Sequence, residues 1–277
     1  MTTLSDVGEL GLLSELERRR LIAGVEHDAA VIGGDLVVTQ DALVEGVHFR
    51  LDWIGWRDLG FRAAAVNLSD LAASGASPEA LLVTLGAPGR TALDDVVALY
   101  EGIAEAGVRV VGGDTTAAPA VVVSVTALGR SARVPGRAGA QPGDLLVVTG
   151  PLGAAGAAFR AGTYSRPPLR LVEGRRLAAS AHALMDISDG LAVDAAHIAR
   201  RSGVRCVIDL DRVPLADGAT LEDVGFGEDF ELLAAVPVAD GLNVIGRVGE
   251  GEGIELRLHG EPHELGGWQH FRSARPY

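Results

Sequence analysis

The residues of this 277-residue chain best equipped for chemistry are short acidic clusters set among Gly, Ser, Thr or Asn. They are Glu26-His27-Asp28, Thr39-Gln40-Asp41, Asn67-Leu68-Ser69-Asp70, Gly112-Gly113-Asp114-Thr115-Thr116, Asp186-Ile187-Ser188-Asp189-Gly190 and Gly227-Glu228-Asp229. Each alone has an ordinary structural use. An Asp after a strand forms a turn, and Ser188 or Asp189 could cap a following helix. Brought together, the carboxylates would repel one another unless hard cations sat between them, and such oxygen donors suit magnesium. Magnesium in turn points to a polyphosphate.

The elements that must position these clusters follow from periodicity and punctuation. Helices are expected over residues 4–22, 57–74 and 92–106, the first ending in Arg18-Arg19-Arg20, which suits a helix C-terminus. Strand-like runs cover 35–41, 80–85, 108–111 and 120–128, so the clusters are expected at element ends. Around residues 134–143 the composition turns to Pro, Gly and Arg, and a fresh pattern opens. Helices then follow near 153–161, 169–181 and 191–201, with strands over 144–149, 205–210, 230–236, 243–248 and 254–258. This is mixed α/β (α+β) material in two domains, 1–134 and 135–277, with no regular repeat.

Composition excludes several classes. The 24 basic residues are all arginine, which rules out a phosphate loop built on lysine and Schiff-base catalysis by a side-chain amine. A formal charge of −13 argues against nucleic-acid partners, and 4% aromatic residues leave few stacking platforms. The longest apolar runs, such as 117–128, are far short of the ~20 residues a bilayer needs, and the N-terminus lacks a basic signal region. No membrane association is expected. The single cysteine, Cys206, can make neither an intramolecular disulfide nor a cysteine-based zinc cage, and reads as strand interior. A cytoplasmic protein is the simplest expectation.

In their order along the chain the clusters resemble thiamine-monophosphate kinases, a family within the aminoimidazole-ribonucleotide synthetase-like ATP enzymes. The resemblance runs from about residue 5 to the C-terminus. Its most specific parts are Val44-Glu45-Gly46-Val47-His48-Phe49 and the closing Gly267-Trp268-Gln269-His270-Phe271. It implies a two-domain fold in which the N-terminal domain binds metal and ATP and pairs its sheet across a homodimer, while the C-terminal domain closes over nucleotide and substrate. It also implies several Mg2+ ions held by Asp28, Thr39, Asp41, Asp70, Asp114, Asp186 and Asp189, with Gln40 ligating through its backbone. Gly113, Asp114, Arg137 and Ser188 match nucleotide-contacting positions; His48, Glu228 and Trp268 match positions that hold thiamine phosphate. The implied reaction is in-line transfer of the ATP γ-phosphoryl to thiamine monophosphate, the last step of thiamine diphosphate synthesis. Asp41 and Asp189 act as metal positioners, and no general base is assigned because a phosphate monoester is already anionic.

The chain departs from the family pattern in places. His27 stands where an aspartate is usual, and imidazole is a poorer partner for magnesium. Phe226 interrupts an expected Gly-Gly, Phe230 replaces a common tyrosine, and stretches 162–170 and 211–224 are short. Two other readings remain open on the sequence: another ATP-dependent enzyme of the superfamily, and a catalytically reduced paralogue that binds nucleotide or thiamine phosphates. Gly150, Gly153 and Gly156 lack a dinucleotide fingerprint and suggest close packing. His182, His197, His259 and His263 share no ligand spacing and read as surface or capping residues. Tyr100 reads as core, and Trp53 and Trp56 as loop residues facing a neighbouring chain or a ligand.

Overall fold

The structure is a computed structural model that describes residues 2–22, 27–239, 241–268 and 271. Glu26, Gln269 and His270 of the sequence motifs lie outside the described residues.

The first half builds a five-stranded sheet in the order β1-β2-β5-β3-β4. Its strands are β1 (Ala30–Ile32), β2 (Leu36–Val44), β3 (Ser77–Ala87), β4 (Val110–Ala117) and β5 (Val122–Arg130). All pairings are antiparallel except β3 with β4. Helix α2 (Trp56–Ala73) lies against it, and α3 (Leu93–Glu105) packs on α2. Those two helices touch backbone to backbone: a Cβ at Gly60 would stand 1.8 Å from the Leu99 carbonyl oxygen, and one at Gly102 1.8 Å from that of Arg57. The Ala- and Gly-rich composition of α2 is therefore a packing requirement. Val37, Leu43, Val83, Val123, Val125, Leu59 and Leu68 share the core between sheet and helices, with half-buried Tyr100 packed against it.

The second half builds a seven-stranded sheet ordered β12-β11-β8-β10-β6-β9-β7. Its strands are β6 (Leu145–Val148), β7 (Ala183–Asp186), β8 (Arg205–Asp209), β9 (Leu232–Val236), β10 (Asn243–Gly249), β11 (Gly253–Leu258) and β12 (Glu261–His263). Only β8 and β11 run parallel. Helix α6 (Leu191–Ser202) packs on β7, β8 and β11. The short α4 (Ala154–Arg160) contacts the turn at residues 222–225, and α5 (Leu171–Ala178) packs against α2 of the first half. A third apolar cluster joins Ala72 and Ala73 of α2 to Leu177, Leu184 and Leu232, so the two sheets are welded through α2.

Several elements differ from the sequence expectation. Helix α1 (Leu4–Arg18) stops four residues early and breaks at Gly8, whose φ of +67° is left-handed. Helix α5 is shorter than expected at both ends. Strand β4 continues through Gly112-Gly113-Asp114, so that cluster lies inside an element; Thr39-Gln40-Asp41 likewise lies within β2. Trp56 opens α2, while Trp53 packs edge-on against Phe159, their centroids 5.6 Å apart. Among the described residues no helix is long and apolar enough to cross a membrane.

Candidate active site

Strand alternation and helix periodicity aim two of the acidic clusters at each other. On β2, residues 37, 39, 41 and 43 share the face turned toward α2, with Val37, Thr39 and Leu43 buried. On α2, Arg62, Val66 and Asp70 are spaced i, i+4, i+8 and line one cleft. Thr39 Oγ1 donates to Asp70 Oδ2. Asn67 ties the same elements together: its Oδ1 accepts the Asp41 backbone N–H at 3.1 Å while its Nδ2 donates to the Ala63 carbonyl at 3.0 Å. Gln40 is exposed, and its side chain donates to Ser124 Oγ at 3.3 Å.

The second domain delivers the rest. Asp186 ends β7 and accepts a 2.6 Å hydrogen bond from Ser69 Oγ of α2. Carboxylate oxygens of Asp28, Asp70 and Asp186 lie within 4.8 Å of one another. Burial, then the charges of Asp41, Asp186 and Asp28, holds Asp70 well above the carboxylate range. Burial and then Asp28 push Asp186 up to about 8. Asp28 is raised by burial even though Arg137 donates to its Oδ1 from Nε at 2.9 Å and Nη2 at 2.5 Å. Such a cluster must hold either protons or a cation. Three convergent oxygen donors with no thiolate fit a hard divalent ion such as Mg2+. His27 Nδ1 is buried beside them without a hydrogen-bond partner and packs on Gly136.

These groups line a cleft of about 790 Å3 that also holds Thr39, Gln40, Asp41, His48, Arg62, Ser188, Asp189, Glu228 and Trp268. The structure thus gathers every sequence-derived site residue except two. Gly113 and Asp114 sit on β4, opposite Val83 and Thr84, away from the cleft. A Cβ at Gly113 would meet the Val83 carbonyl at 1.8 Å, so the strand contact itself demands glycine. His48 Nδ1 accepts the Val44 N–H at 3.0 Å, which places the ring proton of the neutral imidazole on Nε2.

Two side chains that build the cleft escaped the sequence reading. Arg62, 5% exposed, crosses between domains to donate from Nη2 to Glu228 Oε2 at 2.6 Å. Glu228 is held at φ +61° and Phe230 at +51°, in the left-handed region that costs non-glycine residues energy, which marks a constrained loop. The signal for Arg62 was one arginine inside the run Phe61-Arg62-Ala63-Ala64-Ala65. Asp194, 1% exposed, accepts the backbone N–H groups of Ser188, Asp189 and Gly190, each at 3.1 Å. Burial, then Asp189 and Asp186, raises it well above its ordinary value. Because Asp194 occupies these amides, the turn before α6 is not a free anion nest. Asp229 does the same at α4, accepting from Gly153 N at 2.8 Å and Ala155 N at 3.4 Å, so those two amides are already taken.

Comparison with known proteins gives a consistent picture. The family "AIR synthase related protein, N-terminal domain" matches residues 26–131, and its C-terminal counterpart matches 141–255. A thiamine-monophosphate kinase of Mycobacterium tuberculosis (strain CDC 1551 / Oshkosh) is 36% identical over 97% of this chain and 93% of its own. One of Aquifex aeolicus (strain VF5) is 32% identical over 97% and 99%. The structure of AaThiL complexed with AMPPCP and TMP superposes with a TM-score of 0.88 at 32% identity, covering 98% of this chain and 99% of that one. The HypE–HypF complex, at 18% identity and a TM-score of 0.78, shares the fold alone. Identity at this level, over nearly the whole length of both chains, makes this protein a member of the thiamine-monophosphate kinase family.

Proposed function

We propose that this chain transfers the γ-phosphoryl group of ATP to the phosphate of thiamine monophosphate, yielding ADP and thiamine diphosphate. The observation that carries this reading is the convergence of Asp28, Asp70 and Asp186, supported by 36% identity to a named kinase across 97% of the chain. In this reading Asp28, Asp70 and Asp186, together with Thr39, Asp41, Asp189 and the Gln40 backbone, hold Mg2+. The bound cation neutralises charge that develops on the transferring phosphoryl. Asp41 and Asp189 fix the metal side of the cleft, Arg137 and Ser188 meet the nucleotide, and His48, Glu228 and Trp268 hold the acceptor. The attacking oxygen belongs to a phosphate monoester and is already anionic near neutral pH. Positioning therefore replaces a general base.

The division at residues 134 and 135 separates a metal-binding, dimer-forming half from a half that closes over the substrates. Strand β4 is a sheet edge on which every residue after Val110 is exposed, Val111 by 61%. Such an edge invites pairing with a second copy. We take the protein to be a homodimer through it, which gives Gly113 and Asp114 a route to the partner's nucleotide. ATP as co-substrate and a single buried cysteine suit a cytoplasmic site of action.

The test is ADP release from ATP and magnesium, measured with and without thiamine monophosphate. Release that depends on the acceptor supports the reading. Acceptor-independent release, or tight binding of thiamine phosphates with no ADP, would replace it with a different enzyme or a binding paralogue. Sedimentation of wild type against Val111→Asp tests the dimer: the wild type should sediment as two chains and the variant as one.

A further inference from the structure

The loop at residues 227–231 carries three carboxylates, and each is met by a different part of the fold. Glu228 takes Arg62 of α2, and Asp229 takes amides at the start of α4. The third, Glu231, is 3% exposed. Arg170, immediately before α5, grips it with two bonds, Nε to Oε2 at 2.7 Å and Nη2 to Oε1 at 2.6 Å, and reaches Glu173 Oε1 from Nη1 at 3.2 Å. Thr149, just after β6, donates from Oγ1 to Glu231 Oε2 and accepts the Leu232 N–H at 2.8 Å. Gly150 makes room for the pair: a Cβ there would stand 2.3 Å from Glu231 Oε1 and 2.6 Å from Arg170 Nη2.

The backbone next to this pair is strained. Glu228 and Phe230 both hold positive φ, a geometry that non-glycine residues keep only where the surroundings over-determine it. Backbone bonds tie the loop to the strand end that carries Ser188. The Glu228 N–H meets the Ser188 carbonyl at 2.8 Å, the Phe230 N–H meets that of Ile187 at 2.9 Å, and the Ile187 N–H meets that of Glu231 at 2.8 Å. A guanidinium and a carboxylate joined by two bonds fix orientation as well as distance, which one point contact does not. Glu228 and Phe230 line both the main cleft and an adjoining pocket walled by Trp53, Phe159, Tyr164 and Phe226. Arg170, Glu231, Thr149 and Gly150 line neither.

We infer that Arg170 is a positioning residue for the acceptor: through Glu231 it holds Glu228 and Phe230 in the strained geometry that thiamine monophosphate requires. This rests on the proposed assignment of thiamine monophosphate as acceptor. Without the pair the loop relaxes toward unstrained backbone. If the competent geometry is then populated about one tenth of the time, the acceptor binds about tenfold more weakly. Nucleotide affinity changes little, because the nucleotide does not depend on Glu228.

Calorimetric titration with thiamine monophosphate and, separately, with AMPPCP and Mg2+ tests this, alongside KM and kcat for both substrates. Arg170→Met should weaken thiamine monophosphate and raise its KM about tenfold, while AMPPCP affinity and the ATP KM stay within about twofold of wild type. Arg170→Lys, which keeps the charge and loses the fork, should lie between the two. Gly150→Ala, whose methyl group intrudes on the pair from outside both cavities, should shift acceptor affinity in the same direction. Thermal melts verify that each variant is folded at the assay temperature, and the lysine variant carries the comparison where the methionine variant does not fold. A pair that serves stability alone would lower Tm and the active fraction, hence kcat, and leave acceptor affinity and KM at wild-type values. That pattern would overturn the inference, as would equal weakening of both ligands. A wild type that binds thiamine monophosphate but releases no ADP would overturn the kinase reading alone, since the titration still reads the acceptor loop. A wild type that does not bind thiamine monophosphate would overturn both.

Discussion

Replacing Asp186 with asparagine should stabilise the metal-free protein while removing its response to magnesium. In the unfolded chain this carboxyl ionises near 3.8; in the fold, burial and then Asp28 hold it at about 8. Between those values the native state keeps a proton that the unfolded state has lost. The associated stability is fully present below about pH 4 and drains away as pH rises through about 8. At pH 7 the accumulated cost is roughly 4 kcal/mol, about three pH units at ~1.4 kcal/mol each. Asparagine does not titrate, and its amide oxygen can still accept the Ser69 Oγ–H bond, now 2.6 Å. The amide NH2 needs a new partner, which offsets part of the gain. A net stabilisation of about 2 kcal/mol corresponds to an increase in Tm of about 4–8 °C for a chain of this size. The assay is thermal unfolding in EDTA at pH 8, repeated with millimolar MgCl2. Wild type should gain stability from magnesium, increasingly so from pH 6 to 8 as the cation no longer competes with protons, and Asp186→Asn should lose most of that gain. An Asp186→Asn protein that melts below wild type in EDTA at pH 8, or that keeps the full magnesium increment, would refute the reasoning.

Three further outcomes follow from the same contacts. Arg62→Met removes the ion pair between the buried guanidinium and half-buried Glu228 and should cost about 2–3 kcal/mol in urea unfolding, with the acceptor KM rising more than kcat falls; Arg62→Lys should restore part of both. Asp194→Ala removes the acceptor of three backbone amides and should lower stability by about 3 kcal/mol and kcat by at least tenfold, whereas Asp194→Asn, which keeps one acceptor oxygen, should lie between it and wild type. Cys206 is fully buried in β8 and its thiol is pushed up to about 12 by burial, so a disulfide-exchange reagent should label it only after denaturation, and labelling of the native protein within minutes would contradict that burial.

Much of the fold was legible because the elements that hold the site have strong periodicity. Strand β2 alternates, α2 is a long alanine-rich helix, and the Pro- and Gly-rich stretch near residue 140 separates the two sheets. The missed parts have physical causes. Glycines read as an element end at Gly112-Gly113, yet β4 runs through them, and at Gly113 the β3 backbone approaches too closely for any side chain. Gly8 inside an otherwise helical pattern gave no sign of a break, since glycine is compatible with both conformations. Most of the site was legible through the order of its acidic clusters. Arg62 and Asp194 were not, because their roles depend on which neighbours they face across 166 and 4 to 6 residues of sequence, and only the packed helices settle that.

The central claim is tested most directly by following the terminal phosphate of ATP. With γ-labelled ATP, magnesium and thiamine monophosphate, the account predicts that label appears in the terminal phosphate of thiamine diphosphate, one per ADP formed, and that EDTA abolishes it. Label recovered only as inorganic phosphate, from folded protein saturated with magnesium and acceptor, would contradict it.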